Sequence, residues 1–153
     1  MQPEELQVYL HQNIPITKAM GVQVRKSQPG EVILFAPIAP NINHRETVFG
    51  GSACTLAILS CWALLQIGLR SESIAARLVI QRNTMSYDKP ITGDFYAICR
   101  YEDAGKWDRF KNMLLRRNRA RITVASVLEC EGERVANFEG QFVALQPQMG
   151  TSA

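Results

Sequence analysis

Gly50-Gly51-Ser52-Ala53-Cys54-Thr55-Leu56-Ala57-Ile58-Leu59-Ser60-Cys61-Trp62-Ala63-Leu64-Leu65-Gln66-Ile67-Gly68-Leu69 is the stretch on which the fold turns. It carries no charge, and its composition predicts a helix over about 51–69 that is apolar all round. Such a helix has to be enclosed. A bilayer could enclose it, since the run is about as long as a membrane crossing needs. Against that, it opens on two glycines and a serine, holds Thr55, Ser60, Gln66 and Gly68, and stands alone among strand-like segments. A buried core helix is the expectation, with no membrane association.

The segments on either side supply the enclosure. Upstream, 22–26 and 31–38 read as strands joined at Pro29-Gly30, and Pro37 and Pro40 stop the second. Downstream, 74–82 and 95–102 read as strands, with turn chemistry between them at Asp88-Lys89-Pro90 and Thr92-Gly93-Asp94. An amphipathic helix follows over 106–118, placing Trp107, Phe110 and Leu114 on one face. The last strands, 121–130 and 135–145, meet at Glu131-Gly132-Glu133. An N-terminal helix begins at Pro3-Glu4-Glu5, lines up Leu6, Tyr9 and Leu10, and ends by Asn13 and Pro15. The tail from Gln146 is expected to fray. Strands joined by hairpins make an antiparallel sheet, and a long apolar helix asks for a curved sheet wrapped around it. The class is α+β, and the 153 residues form one domain with its core at about 14–145.

Composition narrows the function. With 46% hydrophobic and 20% charged residues the chain has ordinary globular proportions, not those of a disordered segment. The net charge of +3 is too mild to imply nucleic acid. Its cations are concentrated, however: Lys106, Arg109, Lys111, Arg116, Arg117, Arg119 and Arg121 follow closely, with only Asp108 among them. Such a cluster suits phosphate groups or an acidic protein surface, or is simply a solvated helix face. No aromatic platform accompanies it, so nucleic-acid binding is not expected. Cys54, Cys61, Cys99 and Cys130 lack zinc-ligand spacing, so no metal is expected. They read as small hydrophobes in a reducing, cytoplasmic compartment, and the polar start Met1–Leu10 does not resemble a secretion signal.

The candidate site precedes the long helix: Asn41-Ile42-Asn43-His44-Arg45-Glu46-Thr47-Val48-Phe49-Gly50-Gly51-Ser52. A polar loop runs into glycines that open a buried helix. Helix N-termini present unpaired N–H groups and partial positive charge, and glycine lets a ligand approach that backbone closely. Such an end can hold an anion, or a carbonyl oxygen becoming one during acyl transfer. Ser52 as a plain helix cap is the simpler alternative, but it leaves the double glycine unexplained. A loop histidine, His44, has a pKa suited to general-base work, and Glu46 is a second possible base. Thr55 and Ser60 more often bond within their own helix, and neither Cys54 nor Cys61 has a histidine partner at a recognisable spacing.

Asn41-x-Asn43, Thr47-x-Phe49-Gly50-Gly51-Ser52, Trp62 on the same helix and Tyr87-x-x-Pro90 together resemble the thioesterase-like domain at the C-terminus of YiiD-type proteins, a branch of the hotdog-fold thioesterases. The resemblance covers about 14–145. It implies hydrolysis of acyl thioesters of coenzyme A or acyl carrier protein. It also implies a homodimer, or a dimer of dimers, in which two sheets join and the site lies at the subunit interface. The backbone of Gly51, with Gly50, would polarise the thioester carbonyl, and Asn43 would place water or substrate. Asn41, Phe49, Ser52 and Tyr87 would fall on the substrate side, with Arg116, Arg117 and Arg119 toward the carrier. No cofactor is implied beyond the coenzyme A moiety that enters with the substrate. Two departures stand out. Phe49 replaces the histidine of His-Gly-Gly branches, and no Asp or Glu lies between Gly50 and Leu69, where other branches carry a carboxylate near the position of Ile58. The base is therefore open between Glu46, His44 and Asp88 reaching across a dimer. Hydratase chemistry needs a paired acid and base that this helix does not offer. A non-catalytic acyl-CoA-binding or regulatory module remains the alternative.

Overall fold

The computed structural model describes residues 1–147. Two short helices, α1 (Pro3–Asn13) and α2 (Pro15–Ala19), lead into the hairpin β1 (Gln23–Gln28) and β2 (Glu31–Ala36). Gly30, at φ +92°, makes its turn. A single 3₁₀ turn at Ala39–Asn41 opens the site loop, which runs into the long helix α3 (Gly50–Ser71). Then come β3 (Arg77–Tyr87), β4 (Phe95–Arg100), α4 (Ala104–Arg117), β5 (Arg119–Cys130) and β6 (Glu133–Leu145).

The six strands form one sheet in the order β1-β2-β4-β5-β6-β3, antiparallel throughout. α3 touches all six strands, so the sheet curls around it. Alternation along each strand sends one set of side chains inward. Phe95, Ala97 and Cys99 of β4, Ile122, Val124 and Leu128 of β5, and Phe138 and Phe142 of β6 are buried, opposite Leu56, Leu64, Leu65 and Ile67 of α3. α3 is long and apolar enough to cross a membrane, but it lies mostly buried within its own sheet. This is the curved antiparallel sheet around a long helix that the sequence pattern predicted, and the hotdog fold that the resemblance implied. The cysteines are free, and all but the half-buried Cys54 are buried.

The strand after α3 departs from its expected course. It begins at Arg77 rather than 74 and continues to Tyr87 rather than stopping at 82. It does not form a hairpin with β4; it crosses to pair with β6 and becomes the sheet's edge. The helix α2 was not anticipated. At the other end, the Gln146 N–H donates to the Asn118 carbonyl at 2.9 Å, so the chain is still tied where fraying was expected to begin. The rest of that expectation, 148–153, lies outside the described residues.

Candidate active site

Phe49, not Ser52, is the N-cap of α3. Its carbonyl accepts the N–H groups of Ser52 at 3.0 Å and Ala53 at 3.1 Å. Ser52 sits one turn too far in to cap. The N–H groups of Gly50 and Gly51 have no acceptor among the described residues. They are the orphan donors every helix start leaves, and here Gly51 is exposed to solvent. Neither glycine has a positive φ; close approach is what requires them. A Cβ on Gly51 would lie 2.4 Å from Cε1 of Phe49, whose ring rests on the Gly51 backbone. A Cβ on Gly50 would meet the Tyr87 phenol at 3.4 Å.

Tyr87 closes the other side. Its hydroxyl donates to the Gly50 carbonyl at 2.9 Å. That carbonyl belongs to the same planar peptide as the Gly51 N–H, and the two point in opposite directions. Holding one therefore aims the other, and the hydrogen bond polarises the unit. A groove of about 340 Å³ runs alongside, lined by Thr47, Val48, Gly50, Tyr87, Asp88, Lys89, Pro90 and Ile91. Asp88 thus lines this groove together with Gly50 of the same chain. Its Oδ2 accepts from Asn137 Nδ2 at 2.6 Å.

The two asparagines of the loop are committed to structure. Asn41 is buried, and its Nδ2 donates to the carbonyls of Met20 (2.9 Å) and Pro37 (2.7 Å). Its backbone carbonyl takes the Phe49 N–H at 2.7 Å. It anchors the glycine turn from beneath and does not line the groove, which corrects its expected place against substrate. Asn43 Oδ1 accepts from the N–H groups of Arg45 (2.8 Å) and Thr47 (3.2 Å), while Nδ2 donates to Thr47 Oγ1 at 3.0 Å. Its amide is spent on folding residues 43–47 into a turn in which Glu46 takes φ +61°. His44 and Glu46 are exposed on that turn, and neither lines the groove. Farther along α3, the Thr55 hydroxyl donates to the Gly51 carbonyl at 2.8 Å and Ser60 to Ala57 at 2.8 Å, the within-helix bonding expected of them.

Sequence reasoning singled out Tyr87 but passed over its neighbours on the inner row of β3, Asn83 and Met85. Asn83, Met85 and Tyr87 face the same side as Gly140, Phe138 and Ala136. The Cys54 thiol contacts Asn83 Oδ1 at 3.7 Å, and burial pushes that thiol above its ordinary pKa. It stays protonated at neutral pH, which argues against a nucleophile. The alternation Asn83-x-Met85-x-Tyr87 was the available signal.

The basic cluster is not brought to this site. α4 packs at the opposite end of α3, where the Trp107 ring covers Gly68. At 1.5 Å per residue, Gly50 and Gly68 are about 27 Å apart. Arg116, Arg117 and Arg119 therefore cannot share one chain's groove with Gly51. Of the cluster, Lys106, Arg109 and Lys111 pair with Glu102, Asp103 and Glu72.

The family model described as "Putative thioesterase (yiiD_Cterm)" matches residues 3–146. Among solved structures, a protein of unknown function from Chlorobaculum tepidum is 28% identical with a TM-score of 0.87, covering 95% of this chain and 94% of that one. A protein of Pseudomonas aeruginosa described as a probable thioesterase is 26% identical with a TM-score of 0.82, covering 95% and 97%. A thioesterase-like protein from Shewanella oneidensis, at 24% identity and TM-score 0.80 over 94% and 96%, shares the fold.

Proposed function

The chain belongs to the YiiD C-terminal thioesterase family, and we propose that it hydrolyses acyl thioesters of coenzyme A or acyl carrier protein at the N-terminus of α3. The observation that carries this reading is the Gly50–Gly51 peptide: its N–H has no acceptor among the described residues, Gly51 is exposed to solvent, and Tyr87 grips the peptide's carbonyl.

The thioester carbonyl oxygen accepts from the Gly51 N–H. Water adds to the carbonyl carbon while Asp88, the carboxylate lining the groove beside Gly50 and Tyr87, takes its proton. The negative charge that develops on oxygen is held by the N–H and the helix terminus. Collapse of the tetrahedral intermediate breaks the carbon–sulfur bond, releasing thiolate and carboxylic acid. The good leaving group makes a modest apparatus sufficient. Asn137 orients the base, Asn43 fixes the turn that places Thr47 in the groove, and the exposed Phe49 ring against Gly51 offers apolar surface outside it. His44 and Glu46 have no part in this scheme.

We also propose that two copies associate through β3. The edge strand β1 is six residues long and covered by α1, whereas β3, although bulged near Gln81, is 11 residues long and mostly exposed. A long uncovered edge is a template for another strand. Ile42, Phe49 and Tyr87, each about half exposed beside the site, are apolar surface that a second subunit and an acyl chain would cover.

The test is hydrolysis of a panel of acyl-CoA and acyl carrier protein thioesters, from acetyl to palmitoyl and including benzoyl, followed by a thiol-trapping dye. Turnover that drops roughly 10²-fold or more in Asp88→Asn supports the scheme. No thiol release across the whole panel from folded protein overturns it in favour of an acyl-binding module.

A further inference from the structure

One line along α3 never becomes buried. Gly51, Thr55, Ile58, Trp62, Gln66 and Arg70 recur three or four residues apart, so they share one face of the helix. Leu56, Leu59, Ala63 and Ile67, between them in sequence, are buried on other faces. The line begins at the Gly51 N–H, and its first half is apolar. The Phe49 ring rests where a Gly51 side chain would stand. The Thr55 hydroxyl is spent on the Gly51 carbonyl at 2.8 Å. Ile58 packs on the core yet stays partly open.

The line is then blocked. Tyr9 of α1 stacks on Trp62, with ring centroids 6.0 Å apart and planes within 12° of parallel. The Arg70 guanidinium covers the Tyr9 ring at 5.0 Å. Trp62, Tyr9 and Arg70 thus make a stack held from two helices, firmer than one loose ring. Past it the face turns polar, with Gln66 and Arg70. A saturated chain fits the first half, which offers no free charge to it. A charged acyl group would be desolvated there without a partner.

The stretch has a definite length. Gly51 and Trp62 are 11 residues apart in α3, about 16 Å along the axis. A helical side chain leans back over the turn before it, so the indole removes about 5 Å of that. The hydrogen bond from the Gly51 N–H to a thioester carbonyl restores about 3 Å. Saturated carbon chains advance about 1.3 Å per bond. The space between the donor and the stack therefore takes an acyl chain of about ten carbons.

Resting on the thioesterase reading above, we infer that the substrates are medium-chain saturated acyl thioesters, whose chain lies along this face of α3 and ends against the Trp62–Tyr9 stack. Trp62 sets the upper length and touches no reacting atom.

The test uses the full chain and two substitutions that move the stop in opposite directions. Ile58→Trp brings it one turn closer to Gly51 and should cut the limit to about five carbons. Trp62→Ala, combined with Tyr9→Ala so that the phenol does not refill the space, should extend it to about fourteen. Titration with S-alkyl coenzyme A thioethers, which cannot be hydrolysed, reads the limit directly. Affinity should rise roughly twofold to fourfold per added methylene, then level off at about ten carbons in wild type and at the shifted lengths in the variants. For acyl-CoA hydrolysis, kcat/KM should break at the same lengths, while acetyl-CoA stays within twofold of wild type throughout. If the double variant does not fold, Ile58→Trp decides alone, since it adds to a partly open position and removes no contact partner. A wild type that gains affinity steadily to sixteen carbons overturns the inference, as does a break that Ile58→Trp leaves in place or a preference for benzoyl over every aliphatic chain. So does an Ile58→Trp chain whose subunits separate in sedimentation with an unchanged break, because the face is then a subunit contact. Breaks that shift as expected without any thiol release discard the hydrolase reading alone. Hydrolysis that ignores chain length keeps that reading and discards this one.

Discussion

At its C-terminal end α3 is plugged. The Trp107 ring lies on Gly68, packs against Tyr101 and Phe110 at 5.8 and 5.6 Å, and donates its indole N–H to Glu72 at 2.9 Å. At its N-terminal end the same helix is open, with Gly51 in solvent and Phe49 58% exposed. Both ends set an aromatic ring on a glycine, but only one ring is held. Burial along the helix and its closed end secure the structure, leaving the other end free to keep unpaired donors and apolar surface available to a ligand.

The sharpest way to break that contrast is to remove the donor alone. Gly51→Pro deletes one N–H in the first helical turn, where proline is tolerated. We expect kcat to fall 10²–10³-fold, about 2.7–4 kcal/mol, with the far-ultraviolet circular dichroism unchanged. Retained activity would show that the helix terminus does not bind the carbonyl.

The second comparison places the same substitution at both ends. A Cβ on Gly68 would lie 2.7 Å from Trp107, and one on Gly51 would lie 2.4 Å from Phe49. The nominal clash is worse at Gly51, yet the larger cost is expected at Gly68. Trp107 is held by Glu72 and its ring neighbours, so Gly68→Ala should cost about 1–3 kcal/mol in urea unfolding. Phe49 can swing into solvent, so Gly51→Ala should change stability by less than about 0.5 kcal/mol. Equal costs would mean that the open end is as rigid as the closed one.

Much of this was legible in the sequence, and the gaps have physical causes. An uncharged run opened by two glycines announced α3 and its donor-bearing start. Strands with one dry face announced themselves by alternation. β3 did not: Gln81, Arg82, Asn83, Thr84 and Ser86 are exposed on an edge, so no apolar period marks where the strand ends or which strand it joins. Asn41 and Asn43 look alike in sequence. Only the folded chain brings the Met20 and Pro37 carbonyls to the first, making it a buried anchor. The basic run could be counted, but not divided into residues spent on local carboxylates and residues left free.

Tyr87→Phe sharpens the role of the open end with a smaller effect. It removes one hydrogen bond to the Gly50 carbonyl and nothing buried, as Tyr87 is 53% exposed. Stability should drop by no more than about 1 kcal/mol. If the phenol aims the Gly51 N–H, kcat should fall several-fold with KM nearly unchanged, because the donor matters most when charge develops. A rise in KM at constant kcat would make Tyr87 a contact for bound substrate instead.

The smallest effect belongs to the closed end and is read in acid. Lys111, then the Trp107 indole, hydrogen-bond Glu72 and hold its carboxyl below the ordinary value of 4.5. A depressed carboxylate pKa stabilises the fold fully above that ordinary value, and the contribution is lost as pH falls through the folded-state value. The pair lies at the surface, where solvent screens it, so its contribution is small. Glu72→Gln should therefore lower the urea midpoint slightly at pH 7 and flatten the decline in stability below about pH 4.5, while Gly51-dependent turnover at pH 7 stays at wild-type level. A loss of turnover without a loss of stability would show that the two ends of α3 are coupled, and that the closed end does more than hold the helix in place.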